Sequence, residues 1–204
     1  FHRYFQTLAA ADPEWRWTAA RLVRRIRWAL EQESAGETLV GADHIGSTSV
    51  EGLAAKDVID LQLRVRDLAD ADRPAFRAAM LRAGYLLSEG NDIDDIHPWA
   101  PSPDEWAKRF YGGMDPGQIV HVHVRRHDSA AAWSALLFRD WLRSVPSERE
   151  AYAEMKRHTA QAVSSRGGTT EQYTLGKAGW IADALGRARA WAEASGWRGP
   201  QPLP

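Results

Sequence analysis

Three groups of residues in this chain have types and spacings that could carry chemistry. Asp60 lies in the run Val58 to Val65, where Ile59, Leu61, Leu63 and Val65 alternate with Asp60, Gln62 and Arg64. Alternation of period two marks a half-buried strand, so Asp60 stands on its polar side and faces a cleft or solvent. His121 and His123 stand two apart in a second alternating strand, Val120 to Arg126. That spacing puts both imidazoles on one face, able to grip one ion or phosphate, although such pairs also occur on ordinary exposed strands. Gly46-Ser47 opens the loop Ile45 to Leu53, after a short strand Thr38 to His44. Glycine lets backbone N–H groups come close to an anion and Ser47 adds a hydroxyl donor. The loop is not of the phosphate-binding type G-x-x-x-x-G-K-[ST].

The basic residues form the third group. Arginine outnumbers lysine 22 to 4, and the lysines are Lys56, Lys108, Lys156 and Lys177. Where arginine serves almost everywhere, the remaining lysines are expected where a compact ammonium is needed, which binds phosphate as a point charge and adapts to burial. Lys156 follows Tyr152 by four residues and Lys177 follows Tyr173 by four. Both adjoin apolar helical stripes, so each ammonium stands at the edge of a buried face and needs a partner. The alternative is that the stems cover apolar surface while the heads reach water.

These residues need elements to position them. Asp12-Pro13 reads as a helix start, and Trp17, Ala20, Val23, Ile26 and Leu30 recur at helical spacing over 13–32. Arg16, Arg21, Arg24, Arg25 and Arg27 form its solvated basic face. A second helix is expected over 68–83, stopped by Gly84, and loops with short strand pieces over 86–118. Within that stretch Trp99 and Trp106 are expected to border a pocket. From Ser129 the pattern is helical only. One helix carries Ala130, Trp133, Leu137 and Trp141, Ser147 to Glu150 reads as a capping box, and a third helix runs from about Thr170 to Ser195, ending at Gly196. An α/β core to about residue 128 and a helical region over 129–198 therefore form one unit, followed by a tail, 199–204.

Composition bounds the function. The chain of 204 residues is 44% hydrophobic and 26% charged, a globular balance. The absence of Cys excludes a disulfide framework, a zinc ribbon or a cysteine nucleophile. The net charge of −1 argues against nucleic acid as a partner. No run reaches the roughly 18 apolar residues that a membrane span needs, and Phe1 to Ala11 lacks a signal-peptide pattern. A soluble, cytoplasmic protein is the expectation.

The run His44 to Asp60 resembles the signature of the GrpB family, in the polymerase-beta-like nucleotidyltransferase superfamily. Three further blocks support the resemblance: His121-Val122-His123-Val124, then Leu137-Phe138-Arg139-Asp140-Trp141-Leu142-Arg143, then Tyr152 with Lys156 and Tyr173 with Lys177. It covers residues 13–198 and is most similar in style to the GrpB-type domain behind the kinase domain of actinobacterial dephospho-CoA kinases. The resemblance implies an α+β fold, a nucleotidyltransferase-like mixed sheet with flanking helices and a helical C-terminal region. It implies a nucleotide or other anionic small molecule bound between core and helices, with Asp60, His121 and His123 as the chemical centre. Gly46, Ser47, Lys56, Lys108, Arg109, Lys156, Tyr173 and Lys177 are the expected anion contacts. The superfamily pattern has three carboxylates holding two magnesium ions. Here Asp60 matches and Gln62 stands at the second acid's place. Asp60, His121 and His123, with His44, form a set that suits a transition metal better than magnesium. Group transfer is one implied activity. The alternatives are a non-catalytic folding or regulatory module with a dephospho-CoA kinase as partner, and a stand-alone family member recruited to a specialised biosynthetic step.

Overall fold

The computed structural model describes residues 8–199; most of the expected tail, 200–204, lies outside the described residues. Five strands form one mixed sheet: β1 (Leu39–Ile45), β2 (Val58–Val65), β3 (Tyr85–Leu87), β4 (Lys108–Gly113) and β5 (Ile119–Arg126), in the order β1-β2-β5-β4-β3. The pair β2 and β5 is parallel, and the other neighbours are antiparallel. The helices are α1 (Glu14–Gln32), α2 (Pro74–Arg82), α3 (Ala130–Ser144), α4 (Pro146–Ser164) and α5 (Thr170–Ser195). No helix among the described residues is long and apolar enough to cross a membrane.

The alternation in β2 and β5 separates the sheet into two faces with different fates. Ile59, Leu61, Leu63, Val65, Val120, Val122 and Val124 are buried against α1 and α2, in the main core with Ile26, Leu30, Phe76 and Met80. The opposite face carries Asp60, Gln62, Arg64, His121, His123 and Arg125, and the C-terminal helices lie across it. Those helices have their own core of Leu137, Trp141, Leu142, Tyr152, Ala184 and Ala188, into which Val50 and Leu53 of the loop after β1 insert. The polar sheet face is thus roofed by a separately cored helical layer, and a cleft opens between the two.

Several boundaries differ from the sequence reading. In α1 the buried stripe is Trp15, Ala19, Leu22, Val23, Ile26, Ala29 and Leu30, whereas Trp17 is 58% exposed. The expected helix 68–83 is a short 3-10 turn, Leu68–Asp72, followed by α2 from Pro74; proline is welcome at a helix start and not inside one. For the same reason α4 opens at Pro146 with no side-chain cap. Glu148 is used elsewhere, in a two-bond pair with Arg187 of α5 at 2.9 and 3.0 Å. The capping box that does form is Thr169 with Gln172, opening α5. Trp106 is buried and lines a hollow, and the half-buried Trp99 packs edge-on against it and against Trp133.

Candidate functional site

The centre of the cleft is set by the parallel pairing of β2 and β5, whose register places Asp60 beside His121 and Gln62 beside His123. The Asp60 Oδ1 atom lies 3.2 Å from Nδ1 of His121 and 3.9 Å from Nε2 of His123. Burial pushes the Asp60 carboxyl up, but the hydrogen bonds and charges of His121 and His123 outweigh it and hold the group well below the usual carboxylate range. An ionised carboxylate only accepts. Nδ1 of His121 therefore carries its proton toward Asp60, and in the neutral ring Nε2 presents a lone pair. Burial, with the charge of Arg125, lowers His123 to about 4, so at neutral pH this ring is uncharged.

Gly46 closes one side of this centre. It has φ +71°, a region that side chains other than glycine adopt only with strain, and an added Cβ would overlap Oδ2 of Asp60. Arg139 Nη1 donates to the carbonyl of His44 at 3.1 Å, and Arg143 donates to that of Ser49 at 3.0 and 2.7 Å. Helix α3 therefore pins both ends of the Gly46-Ser47 turn. Gly46→Ala is expected to cost roughly 1–3 kcal/mol through backbone strain alone, read as a melting temperature lower by about 3–10 °C.

Asp60, His121, His123, Gly46, Ser47, Lys56, Lys156, Tyr173 and Lys177 all line one cavity of about 570 Å3, within the usual range for small-molecule sites. Its ammonium groups come from three segments: Lys56 from the loop before β2, Lys156 from α4 and Lys177 from α5. The Nζ atoms of Lys56 and Lys177 lie 4.3 and 4.5 Å from the Tyr173 ring centroid, and that of Lys156 lies 4.7 Å from the Tyr152 ring. The Lys156 ammonium also donates to the Ala54 carbonyl. Burial and the nearby charge of Lys177 lower Lys156 to about 7 and Lys56 to about 8. Burial lowers Lys177 too, partly offset by Asp60. Asp60 is the one carboxylate among the described lining residues. A second hollow of about 330 Å3 shares Gly46, Ser47, Asp60 and Lys177 with the first and extends toward Arg125, Asp94 and Arg139. A third hollow, about 830 Å3, lies beside the loop 48–52, Arg143 and Arg149, and none of the expected site residues line it.

Three expected site residues lie outside the cavity. His44 pairs with Leu61 across β1 and β2, so alternation turns its side chain away from Asp60. Its Nε2 lies 3.0 Å from the Thr48 hydroxyl, which donates to the Val58 carbonyl at 3.1 Å; Nε2 is therefore the donor to Thr48. Lys108 is buried in an ion pair with Asp94 at 2.7 Å. Arg109, one residue on, faces the other way and makes two bonds to Asp72, at 2.8 and 2.7 Å. Both serve the fold. Lining residues that the sequence reading left out are Ile45, Val58, Ile119, Ala135, Phe138 and Thr174. They are the apolar and neutral wall, a role that many residues of these types play anywhere in a protein.

The residues present do not fit a pair of magnesium ions. Gln62 accepts from Arg125 at 2.7 Å and donates to the Ala132 carbonyl at 3.3 Å, so the second acid's place holds an amide with a guanidinium bonded to it. Magnesium requires oxygen ligands in near-octahedral array, and a fixed cation beside the site opposes it. Among the described residues, no group of three or more His, Cys, Asp or Glu could hold a metal ion.

Comparisons with known proteins agree with this architecture. The family model described as GrpB protein matches residues 6–187. A dephospho-CoA kinase of Mycolicibacterium paratuberculosis is 36% identical over 204 residues, covering 94% of this chain and 48% of that protein. The chain thus spans about half the length of that relative. A UPF0157 protein of Halalkalibacterium halodurans is 31% identical, with 93% of this chain and 85% of that protein covered. The crystal structure of conserved protein GrpB from Enterococcus faecalis is similar with a TM-score of 0.70 at 24% identity, covering 91% of this chain and 99% of that one. The fold is the nucleotidyltransferase-like α+β arrangement that the four sequence blocks imply, and the chain belongs to the GrpB family.

Proposed function

We propose that this protein binds a nucleotide or another phosphorylated small molecule in the cleft between sheet and C-terminal helices, and that Asp60, His121 and His123 are the centre of a group transfer there. The observation that carries the reading is the convergence of Lys56, Lys156 and Lys177 on one cavity opposite a single carboxylate. Gathering buried and half-buried ammonium groups around one cavity is costly, and a bound anion offsets that cost. His121, with Nδ1–H given to Asp60, offers Nε2 as a base. A hydroxyl or amine of an acceptor gives its proton to Nε2 as its oxygen or nitrogen bonds to the transferred group. The leaving anion keeps the electron pair of the broken bond and remains on the ammonium groups. The two connected hollows, with Asp60 and Lys177 in both linings, leave room for a donor and an acceptor.

Titration calorimetry with nucleotides and coenzyme A precursors, with and without divalent metals, tests the binding. Lys177→Ala is expected to weaken the heat signal by roughly tenfold or more, with a melting temperature close to wild type. Asp60→Asn is expected to weaken or abolish it and also to lower the melting temperature at neutral pH, because the depressed carboxyl stabilises the fold. Loss of stability in step with binding at Lys177 would mark that residue as structural. A second reading has one observation in its favour, the amide-guanidinium pair of Gln62 and Arg125 in place of an acid. It makes the chain a non-catalytic folding or regulatory module for a dephospho-CoA kinase. Absence of binding across the panel, together with co-purification with such a kinase, would favour that reading.

A further inference from the structure

Charge around the cleft differs between its two sides. On the sheet side, where a metal pair would need oxygen ligands, the Gln62 amide is bonded at both ends, to Arg125 and to the Ala132 carbonyl. Oδ1 of Asp60 is engaged by His121. On the helix side, ammonium groups from three separate segments face the same space. We infer that the cavity takes the di- or triphosphate group of its ligand in metal-free form, with Lys56, Lys156 and Lys177 providing the neutralisation that a magnesium ion provides elsewhere, and that binding takes up protons from solvent. The inference rests on the anion-binding reading above and goes further, because it fixes the ionic form of the ligand and the proton balance of the complex.

The metal-free form follows from competition. Magnesium bound to a polyphosphate cancels the charge that the lysines would meet and brings a cation among cations, with Arg125 already bonded to Gln62 at 2.7 Å. Lysine as a point charge suits phosphate without demanding a fixed geometry. Proton uptake follows from the surroundings of the lysines. The titratable groups that line the cavity with Lys156 and Lys56 include Lys177 and Tyr173 from α5 and Asp60, His121 and His123 from the sheet, and Tyr152 of α4 lies under Lys156. Asp60 is the one carboxylate among the described lining residues. Burial and Lys177 hold Lys156 near 7 and Lys56 near 8, so at pH 8 the free protein carries them partly neutral. A polyphosphate placed beside them favours the charged forms, and protons bind with it. Below about pH 6 both lysines are already charged and the uptake vanishes.

The test is calorimetry of the whole chain with inorganic tripolyphosphate and, separately, with ATP at pH 8. At that pH terminal phosphates are fully ionised, their second ionisation lying near about 6. Each titration is run in EDTA and in excess magnesium, and in two buffers of different ionisation enthalpy. Binding in EDTA is expected to be several-fold tighter than in magnesium, with about half to one proton taken up per ligand. Lys156→Met is expected to weaken binding roughly tenfold to hundredfold and to reduce the uptake, with its fold verified by circular dichroism. Binding of both probes with similar affinity identifies the phosphate chain as the recognised part; binding of ATP alone shows that the nucleoside is read as well, and either result in EDTA supports the inference. Binding that requires magnesium, or binding in EDTA without proton uptake, overturns it while leaving the anion-binding reading intact. Silence of both probes under every condition overturns it too, and failure of the whole nucleotide and precursor panel removes the anion-binding reading itself.

Discussion

Replacing Lys156 by methionine is expected to stabilise the protein while weakening its hold on an anion. Lys156 is 2% exposed. Its ammonium donates to the Ala54 carbonyl and lies over the Tyr152 ring, but burial and Lys177 lower it from 10.5 to about 7. Because the folded value lies below the unfolded one, the unfolded chain binds more protons between those two values. Stability therefore rises with pH across that window, and the cost is fully present below about pH 7. At about 1.36 kcal/mol per tenfold change, the cost at pH 6 is on the order of 5 kcal/mol. Methionine removes it and keeps an unbranched, adaptable stem in the same space. The Ala54 carbonyl then lacks its donor, a loss of about 1–3 kcal/mol. The balance is a gain of about 2–4 kcal/mol at pH 6, or a melting temperature higher by about 5–15 °C.

Calorimetric scans of wild type and Lys156→Met at pH 6 and pH 9.5 check the sign. The gain should be largest at pH 6 and shrink toward pH 9.5, where the wild-type lysine is neutral when folded. A variant less stable at pH 6 would show that the bond to Ala54 outweighs the burial of the charge, and Lys156 would then be a structural strut. Saturating tripolyphosphate should raise the melting temperature of wild type more than that of the variant, since stabilisation by a ligand falls as its dissociation constant rises. A residue that costs stability when empty and binds when filled is what selection for function leaves in place.

The centre of the site was legible because its signals are local. Period-two alternation put Asp60, His121 and His123 on polar strand faces, and the scarcity of lysine together with the four-residue spacing from tyrosines pointed to Lys156 and Lys177. The parallel pairing that sets Asp60 beside His121 is a tertiary fact that no single strand encodes. Lys108 and Arg109 show the limit of the compositional argument. They are consecutive on β4, so their side chains take opposite faces, and their partners Asp94 and Asp72 come from a loop and a short turn with no periodicity to place them. The alternation that places Asp60 in the cleft turns His44, opposite Leu61, to the other face. In α1, Trp15 and Trp17 both sit near an apolar helical spacing; contact with the sheet and α2 decides between them, and the Nε1 atom of Trp15 finds the Asp57 carboxylate at 2.8 Å. The helix starts at Pro74 and Pro146 follow proline chemistry, which outranks a serine-glutamate pattern four residues long.

Asp94→Ala is expected to be the most damaging single change on the polar face of the sheet. One carboxylate there answers two buried cations, with Lys108 Nζ at 2.7 Å from Oδ1 and Arg125 Nε at 2.8 Å from Oδ2. The side chains of Lys108 and Arg125 are 7% and 6% exposed. Burial pushes the Asp94 carboxyl up, yet Arg125 and Lys108 prevail and hold it below its ordinary value. Removing it leaves two uncompensated charges in the interior, and breaking such a buried pair costs about 3–5 kcal/mol, or a melting temperature lower by about 8–15 °C. The folded value is depressed, so this stabilisation is present above the unfolded value near 4 and is lost as pH falls through the folded one. The thermal gap between wild type and variant should close on the acid side and be full at neutral pH. Adding Lys108→Met to Asp94→Ala removes one of the two stranded cations, so the double variant should melt higher than Asp94→Ala alone; equal melting would mean that Lys108 reaches water and carries no burial cost. The loss should also reach the cleft, because the same Arg125 holds Gln62 and lies 3.3 Å from Nδ1 of His123. Once its own carboxylate is gone, the guanidinium loses its fixed place beside Gln62 and His123, and ligand affinity should fall together with stability at this position, in contrast to Lys177→Ala, where affinity falls alone.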